Sequence, residues 1–296
     1  MSVRATTIGD IAGFWADRSP LHEAASLGRA LQVKRLIETG ACVNLVTVDS
    51  VTPLHEACQN GHALCTQMLL SAGAQVEARN IDGSTPLCEA CASGSLECVR
   101  LLLLHGARVN LSIFTVSPLH EACLGGSVEC VQLLIAAGAH LEAHDCHLGT
   151  PLHVATYKQH QTCVRALLDA GANVNAAKLH ETALHHAART HDVALLELLV
   201  EFGACVNARD NRGRRPSDYL PAGSPCWAQL ARYESTGPPP QPPPSRRRRR
   251  SRRPPPSLIA TLLPSLPPSI LAAPALLPNR RSIVAYVFLM SRPQRY

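Results

Sequence analysis

A short motif recurs along this chain at an almost constant interval, and this repeat restricts the possible folds more than any other feature. Its first position recurs after 33, 33, 32, 33, 32 and 33 residues, at Pro20, Pro53, Pro86, Pro118, Pro151, Ala183 and Pro216. A second series in the same phase consists of Gly40, Gly73, Gly106, Gly138, Gly171 and Gly203. Two series in one phase predict stacked units that each pack only against their neighbours.

Each unit predicts a helix, a tight turn and a second helix. A Ser or Thr precedes the first position in six units and is expected to cap the first helix, at Ser19, Thr52, Thr85, Ser117, Thr150 and Thr182. Proline suits the first helical position because the N–H that it lacks has no partner there. Eight residues after the proline, a left-handed residue is expected to end the helix. This residue is Gly28, Gly61, Gly94 or Gly126, while Gln159 and His191 stand there in the fifth and sixth units.

The motif letters resemble those of ankyrin repeats. The segments TPLHEA and TPLHVA match the ankyrin signature T-P-L-H-x-A at its period of 33 residues. The resemblance implies an all-α ankyrin-repeat solenoid over residues 19–220, with six full repeats and a truncated seventh. It also implies that the histidine two residues after each proline links its turn to adjacent backbone by hydrogen bonds. Residues 1–18 are expected to form an N-terminal cap segment, and residues 221–296 a disordered Pro/Arg-rich tail.

Composition agrees with thin stacked layers and with reduced cysteines. Hydrophobic residues make up 46% of the chain but aromatic residues only 4%, and stacked layers need fewer large rings than a single compact core does. There are twelve cysteines, yet the N-terminal residues lack the apolar core of a signal peptide. We therefore expect free thiols and a location in the cytoplasm or nucleus, and we expect no membrane span.

The PLHEAC motif raises the question of a metal site or an activated nucleophile, because it groups a histidine, a glutamate and a cysteine. Cys58, Cys91 and Cys123 share one register of the repeat, and other units place Ala25 or Thr156 there. A position that accepts Ala, Cys or Thr indicates close packing between layers. A zinc site needs about four converging ligands, which the repeat spacing does not favour. We expect no metal, no cofactor and no catalytic residue, and hence a non-catalytic interaction protein.

The turns between repeats carry the candidate partner-binding residues, since recognition by stacked repeats uses the exposed turns and first helices of a concave face. The fourth turn places Ile113 and Phe114 where a solvated turn is usually polar, which indicates either a hydrophobic anchor for a partner or a ring folded back onto its neighbour. The other candidates lie in the fifth, sixth and last turns: His144, Asp145, His147, Leu148, Lys178, His180, Arg209 and Arg212.

Several longer segments resemble one family of ankyrin proteins. GFWADRSPLHEAA, NIDGSTPLCEACASGS and LEAHDCHLGTPLHVA are similar to the ankyrin repeat and SOCS box proteins. The resemblance implies that the array captures a protein substrate and that a C-terminal SOCS box binds elongin B, elongin C and a cullin, making a substrate-recognition adaptor of an E3 ubiquitin ligase. After Cys226 the chain has no further cysteine, so the L-x-x-x-C pattern that opens a SOCS box has no counterpart there.

The C-terminal residues differ in charge from the repeats. Residues 237–296 contain 11 arginines and no acidic residue, which leaves 17 basic and 22 acidic residues in 1–236. The run at Arg246–Arg253 is typical of a nuclear import or nucleic-acid-binding segment, and Pro238–Pro244 favours a polyproline II helix. Three functions therefore stay open: a ubiquitin ligase adaptor, an ankyrin scaffold or competitor in an isoform without a SOCS box, and a nucleic-acid-associated protein.

Overall fold

The computed structural model describes residues 18–111 and 116–236, and it confirms an ankyrin-repeat array of paired helices. The pairs are α1 (Pro20–Ser26) and α2 (Ala30–Glu38), α3 (Pro53–Gln59) and α4 (Ala63–Ser71), α5 (Pro86–Ala92) and α6 (Leu96–Leu104), α7 (Pro118–Gly125) and α8 (Val128–Ala136), α9 (Pro151–Tyr157) and α10 (Gln161–Asp169), α11 (Ala183–Thr190) and α12 (Val193–Glu201). Strands β1 (Ala177–Lys178) and β2 (Glu181–Thr182) form a short antiparallel hairpin before α11. The first helix of each repeat packs against the first helix of the next.

The first helices begin at the predicted caps. In repeat 2 the Thr52 hydroxyl accepts a hydrogen bond from the His55 backbone N–H at 3.4 Å, and the Thr52 N–H donates to His55 Nδ1 at 3.2 Å. This reciprocal pair provides hydrogen-bond acceptors for the backbone N–H groups of both residues at the start of the helix. The six predicted Ser and Thr residues are all the N-terminal caps of their helices. The cap prediction is therefore confirmed.

The first helices also end where expected. The residue eight positions after the proline has a positive φ in each repeat, including the two repeats without glycine, where Gln159 has φ 61° and His191 has φ 56°. The chain thus reverses direction in the same way whether or not glycine occupies the turn, at some conformational cost in the last two full repeats.

The core consists of aliphatic and small side chains. Leucine follows the proline in every full repeat and is almost completely buried, at Leu21, Leu54, Leu87, Leu119, Leu152 and Leu184. Cys58, Cys91 and Cys123 are fully buried in the register where Thr156 and Ala25 are equally buried. Burial raises the pKa of these three thiols. The packing interpretation of the cysteines agrees with these positions.

The array ends in a short 3-10 helix (Pro216–Tyr219) and a further helix, α13 (Pro225–Thr236). Helix α13 lies inside residues 221–296, for which the sequence analysis predicted a disordered tail. The difference arises because Cys226 and Leu230 are buried against the array, and Gln229 donates a hydrogen bond to Glu197 of α12 at 2.9 Å. Among the described residues, no helix has the length and apolar character needed to cross a bilayer.

Candidate protein-interaction face

The repeat histidines position the turns and are not available for chemistry. In repeat 2, His55 Nδ1 lies 2.9 Å from Thr52 Oγ1, and Nε2 lies 3.2 Å from the Ser84 carbonyl oxygen in the next turn. The same contact joins Nε2 to the following turn in the other repeats that carry this histidine: His22 to Val51, His120 to Gly149, His153 to Glu181, and His185 to Arg214. Burial lowers the pKa of each of these imidazoles. The structural role implied by the resemblance is confirmed.

The fifth turn divides its predicted residues between support and exposure. The Asp145 carboxylate accepts hydrogen bonds from the backbone N–H groups of His147 and Leu148, at 2.8 and 2.7 Å. Leu148 is half-buried against the core. The side chains of His144 and His147 are exposed. Asp145 and Leu148 therefore shape the turn, and the two histidines present side chains to solvent.

The sixth and last turns show the same division. Lys178 Nζ donates to the His147 carbonyl oxygen, which joins the sixth turn to the fifth. His180 is exposed at the tip of the β1–β2 hairpin. In the last turn Arg209 donates to the Gly213 carbonyl oxygen at 2.6 Å, and Arg212 is exposed. The remaining two candidates, Ile113 and Phe114, lie outside the described residues.

A row of glutamates runs along the first helices, and the sequence analysis did not identify it. The position three residues after the proline holds Glu23, Glu56, Glu89 and Glu121 in repeats 1 to 4. We call these four residues the glutamate ladder. The signal was present in the sequence, since the ladder keeps the same spacing as the proline series, but it becomes a surface only when neighbouring first helices pack side by side.

The electrostatic environment differs along the ladder. The Arg18 guanidinium forms an ion pair with Glu56, which is only 8% exposed. Glu89 and Glu121 have no ion pair with any residue that the structure describes. Burial raises the pKa of Glu89, and burial together with repulsion from Glu89 raises the pKa of Glu121 to about 7. Among the residues that the structure describes, neither carboxylate therefore has a positively charged partner.

The same face changes character in repeats 5 to 7, where it carries aromatic rings and arginines. The ladder position there holds Val154, His186 and Tyr219. The Tyr219 ring lies between two guanidinium groups, with Arg189 at 4.8 Å and Arg214 at 4.4 Å from its centroid. Such stacking stabilises both partners. Each arginine also forms an ion pair, Arg189 with Glu181 and Arg214 with Asp210. The face formed by the first helices is thus lined by glutamates in repeats 1 to 4 and by aromatic rings and ion-paired arginines in repeats 5 to 7.

His186 lies among the aromatic rings of repeats 5 to 7. Its ring packs edge-on against His153 at 5.7 Å and against Tyr157 at 6.3 Å, measured between centroids. Burial and the neighbouring His153 lower the pKa of His186 to about 4, so the imidazole is neutral near pH 7. Tyr157 remains 63% exposed. This part of the face therefore offers an exposed aromatic ring next to His186.

Comparison with known proteins places these features in a repeat family. A family model for three ankyrin repeats matches residues 9–80, 65–145 and 112–178, and a single-repeat model matches residues 180–211. The human and mouse ankyrin repeat and SOCS box protein 13 are both 77% identical over 229 residues, covering 77% of this chain and 82% of those proteins. Rabbit ankyrin repeat and SOCS box protein 5 is 47% identical over 76% of this chain and 68% of its own length.

Solved structures agree with this result. The ankyrin repeat domain of human ASB11 matches with a TM-score of 0.71 and 42% identity, over 75% of this chain and 100% of that domain. The ankyrin repeat domain of Bcl-3 matches with a TM-score of 0.61 and 29% identity, over 73% of this chain and 98% of that domain. The array is therefore a protein-interaction module.

Proposed function

This chain belongs to the ankyrin repeat and SOCS box protein family, and on that basis we propose that it is a substrate-recognition adaptor of an elongin–cullin–RING E3 ubiquitin ligase. The observation that carries the proposal is the 77% identity with ankyrin repeat and SOCS box protein 13 across the repeats. In such an adaptor the array binds the substrate, while elongin B, elongin C and a cullin connect it to the subunits that transfer ubiquitin.

We place substrate binding on the first helices and the turns. The exposed side chains of His144, His147, His180 and Arg212 are the proposed turn contacts. Asp145, Lys178 and Arg209 support those turns through hydrogen bonds, and Leu148 does so through packing, so their substitution would act through turn geometry. Ile113 and Phe114 remain proposed anchors of the fourth turn.

A second function competes with the first, and it rests on the residues after the array. No cysteine follows Cys226, so the L-x-x-x-C pattern with which a SOCS box binds elongin C has no counterpart in this sequence. The chain would then bind the same substrate as a scaffold, or as a competitor of a full-length adaptor, without assembling a ligase.

Co-purification separates these two functions. The full chain is expressed with elongin B and elongin C, alongside human ankyrin repeat and SOCS box protein 13 as the positive control. Recovery of both elongins with this chain supports the adaptor function. If the control recovers them and this chain does not, the adaptor proposal fails. The scaffold function is then retained if cross-linking and mass spectrometry identify the same protein bound to both arrays.

A further inference from the structure

The acidic end of the first-helix face has a cationic counterpart in the same chain. We propose that the arginine segment Arg246–Arg253 docks on the glutamate ladder, with its guanidinium groups beside Glu89 and Glu121. This inference is independent of the ligase proposal, because it concerns only contacts within one polypeptide. Four observations support it: unneutralised carboxylates, an arginine already bound to the ladder, the charge of the two parts of the chain, and the order of the residues that link them.

The part of the ladder that lacks an ion pair lies at a defined place. Glu89 and Glu121 are half-buried in adjacent repeats and have no ion pair among the described residues. Two partly desolvated carboxylates in neighbouring layers repel each other, and a cation placed between them relieves that repulsion. Arginine suits this role because its planar guanidinium offers several donors to carboxylate oxygens.

Arg18 shows how a guanidinium binds here. This residue precedes repeat 1, yet its side chain forms an ion pair with Glu56 of repeat 2. An arginine approaching from outside the helices therefore reaches a ladder carboxylate without displacing the helices. Glu89 and Glu121 occupy the same register as Glu56 in the next two repeats, so the proposal places a guanidinium group beside each of them in the same way.

Charge separation along the chain identifies the occupant. Residues 1–236 carry 22 acidic and 17 basic side chains, whereas residues 237–296 carry 11 arginines and no acidic side chain. Seven of those arginines fall within the eight residues Arg246–Arg253. Opposite net charges joined by a short linker attract each other at a high effective concentration.

The length and order of the linking residues fit the face. Helix α13 ends at Thr236 beside repeat 7, where Glu234 contacts Arg215 and Ser217. Glu121 lies three repeats away, roughly 30 Å at the usual spacing of packed helices. The nine residues 237–245 span at most about 30 Å when extended. They are uncharged and rich in proline, which suits passage over the aromatic part of the face near Tyr157. The arginines then arrive at the acidic end.

Tryptic cleavage within Arg246–Arg253 tests the proposal, because trypsin cuts after arginine and a docked segment is protected. Cleavage in the full chain at low salt is followed by mass spectrometry at short times and compared with a synthetic peptide of residues 237–256. If the segment is docked nine-tenths of the time, cleavage in the chain is about tenfold slower than in the peptide. Sodium chloride at about 0.5 M should remove the protection, because it screens charges beyond a few ångströms.

Two double variants locate the docking site. Glu89→Gln with Glu121→Gln should raise the cleavage rate to that of the peptide. Glu97→Gln with Glu129→Gln removes the same charge from exposed positions on the second helices of the same repeats and should leave cleavage slow. Circular dichroism verifies that both variants are folded, and the salt comparison needs no variant. Equal rates in chain and peptide, or equal release by both variants, would overturn the proposal, as would protection that disappears on tenfold dilution and so arises between copies.

Discussion

At the scale of single residues, one side chain accounts for much of the regularity of this array. The histidine two positions after the proline contacts the cap of its own helix through Nδ1 and the next turn through Nε2. The same side chain thereby fixes the start of its own helix and connects that repeat to the next one. In repeat 3 the corresponding residue is Cys88, whose Sγ lies 3.7 Å from the Val116 carbonyl oxygen, a much weaker contact.

This difference predicts opposite effects of two substitutions. His55→Ala leaves the buried Ser84 carbonyl oxygen without its partner and opens a cavity, so we expect a loss of about 2–4 kcal/mol in the free energy of unfolding. Cys88→His introduces the missing pair of hydrogen bonds, and we expect a gain of about 0.5–2 kcal/mol. Urea unfolding measures both values. A destabilised Cys88→His variant would show that repeat 3 lacks space for the ring.

The same histidine predicts a pH dependence. Burial lowers the pKa of His55 in the folded state below its value of 6.5, so the unfolded state binds more protons between the two pKa values. The stability that neutral His55 contributes is present above about pH 6.5 and is lost as the pH falls through the folded-state pKa. The destabilisation caused by His55→Ala should therefore be smaller at about pH 5.5 than at about pH 7.5. An unchanged difference between the two pH values would contradict this account.

At the scale of elements, the helix boundaries are the part of the fold that the sequence predicts well. A cap residue, a proline and a left-handed residue act within about one turn of the chain, so the local sequence is enough to predict the helix boundaries. The left-handed position is informative because Gln159 and His191 adopt it without being glycine. At these two positions the stacking of the repeats, and not the local sequence, sets the left-handed conformation.

A reciprocal exchange tests this interpretation. Gly94 has φ 69°, and a side chain added to it meets Ser127 Cβ at 3.4 Å. Gly94→Ala should therefore cost about 1–2 kcal/mol, the usual penalty of the left-handed conformation. Gln159→Gly removes the same penalty in repeat 5 and should gain about 0.5–1 kcal/mol. Thermal unfolding of both variants measures these changes, and effects of equal sign would show that side-chain contacts outweigh backbone strain.

The turns were less predictable than the helices. Their letters show polar and apolar side chains, but the role of each depends on contacts about 30 residues away, such as that of Lys178 with the His147 carbonyl oxygen. The Asp145 carboxylate accepts hydrogen bonds from backbone N–H groups of its own turn, which its sequence position alone does not reveal. The glutamate ladder was overlooked for a related reason, because an isolated glutamate on one helix has no meaning until its neighbours are stacked beside it.

At the scale of the whole molecule, the array is a line of layers with distinct ends. No Phe, Trp or Tyr side chain is fully buried in the part of the chain that the structure describes, so the apolar contacts between layers come mainly from leucine, alanine and cysteine. Stability in such an array depends on contacts between nearest neighbours. Helix α13 covers the last layer and protects α12 from water.

This arrangement predicts that a destabilising substitution in α13 affects only the repeats next to it. Leu230 of α13 is 1% exposed, and Leu230→Ala should cost about 2–4 kcal/mol in the last layers. Hydrogen exchange should then accelerate in α11 and α12 while the amides of repeats 1 to 3 keep their protection, because those repeats do not contact α13. Trp227→Ala, at a position that is 39% exposed in the same helix, should produce a smaller change. Uniform acceleration over all repeats would instead show that the array unfolds as a single cooperative unit.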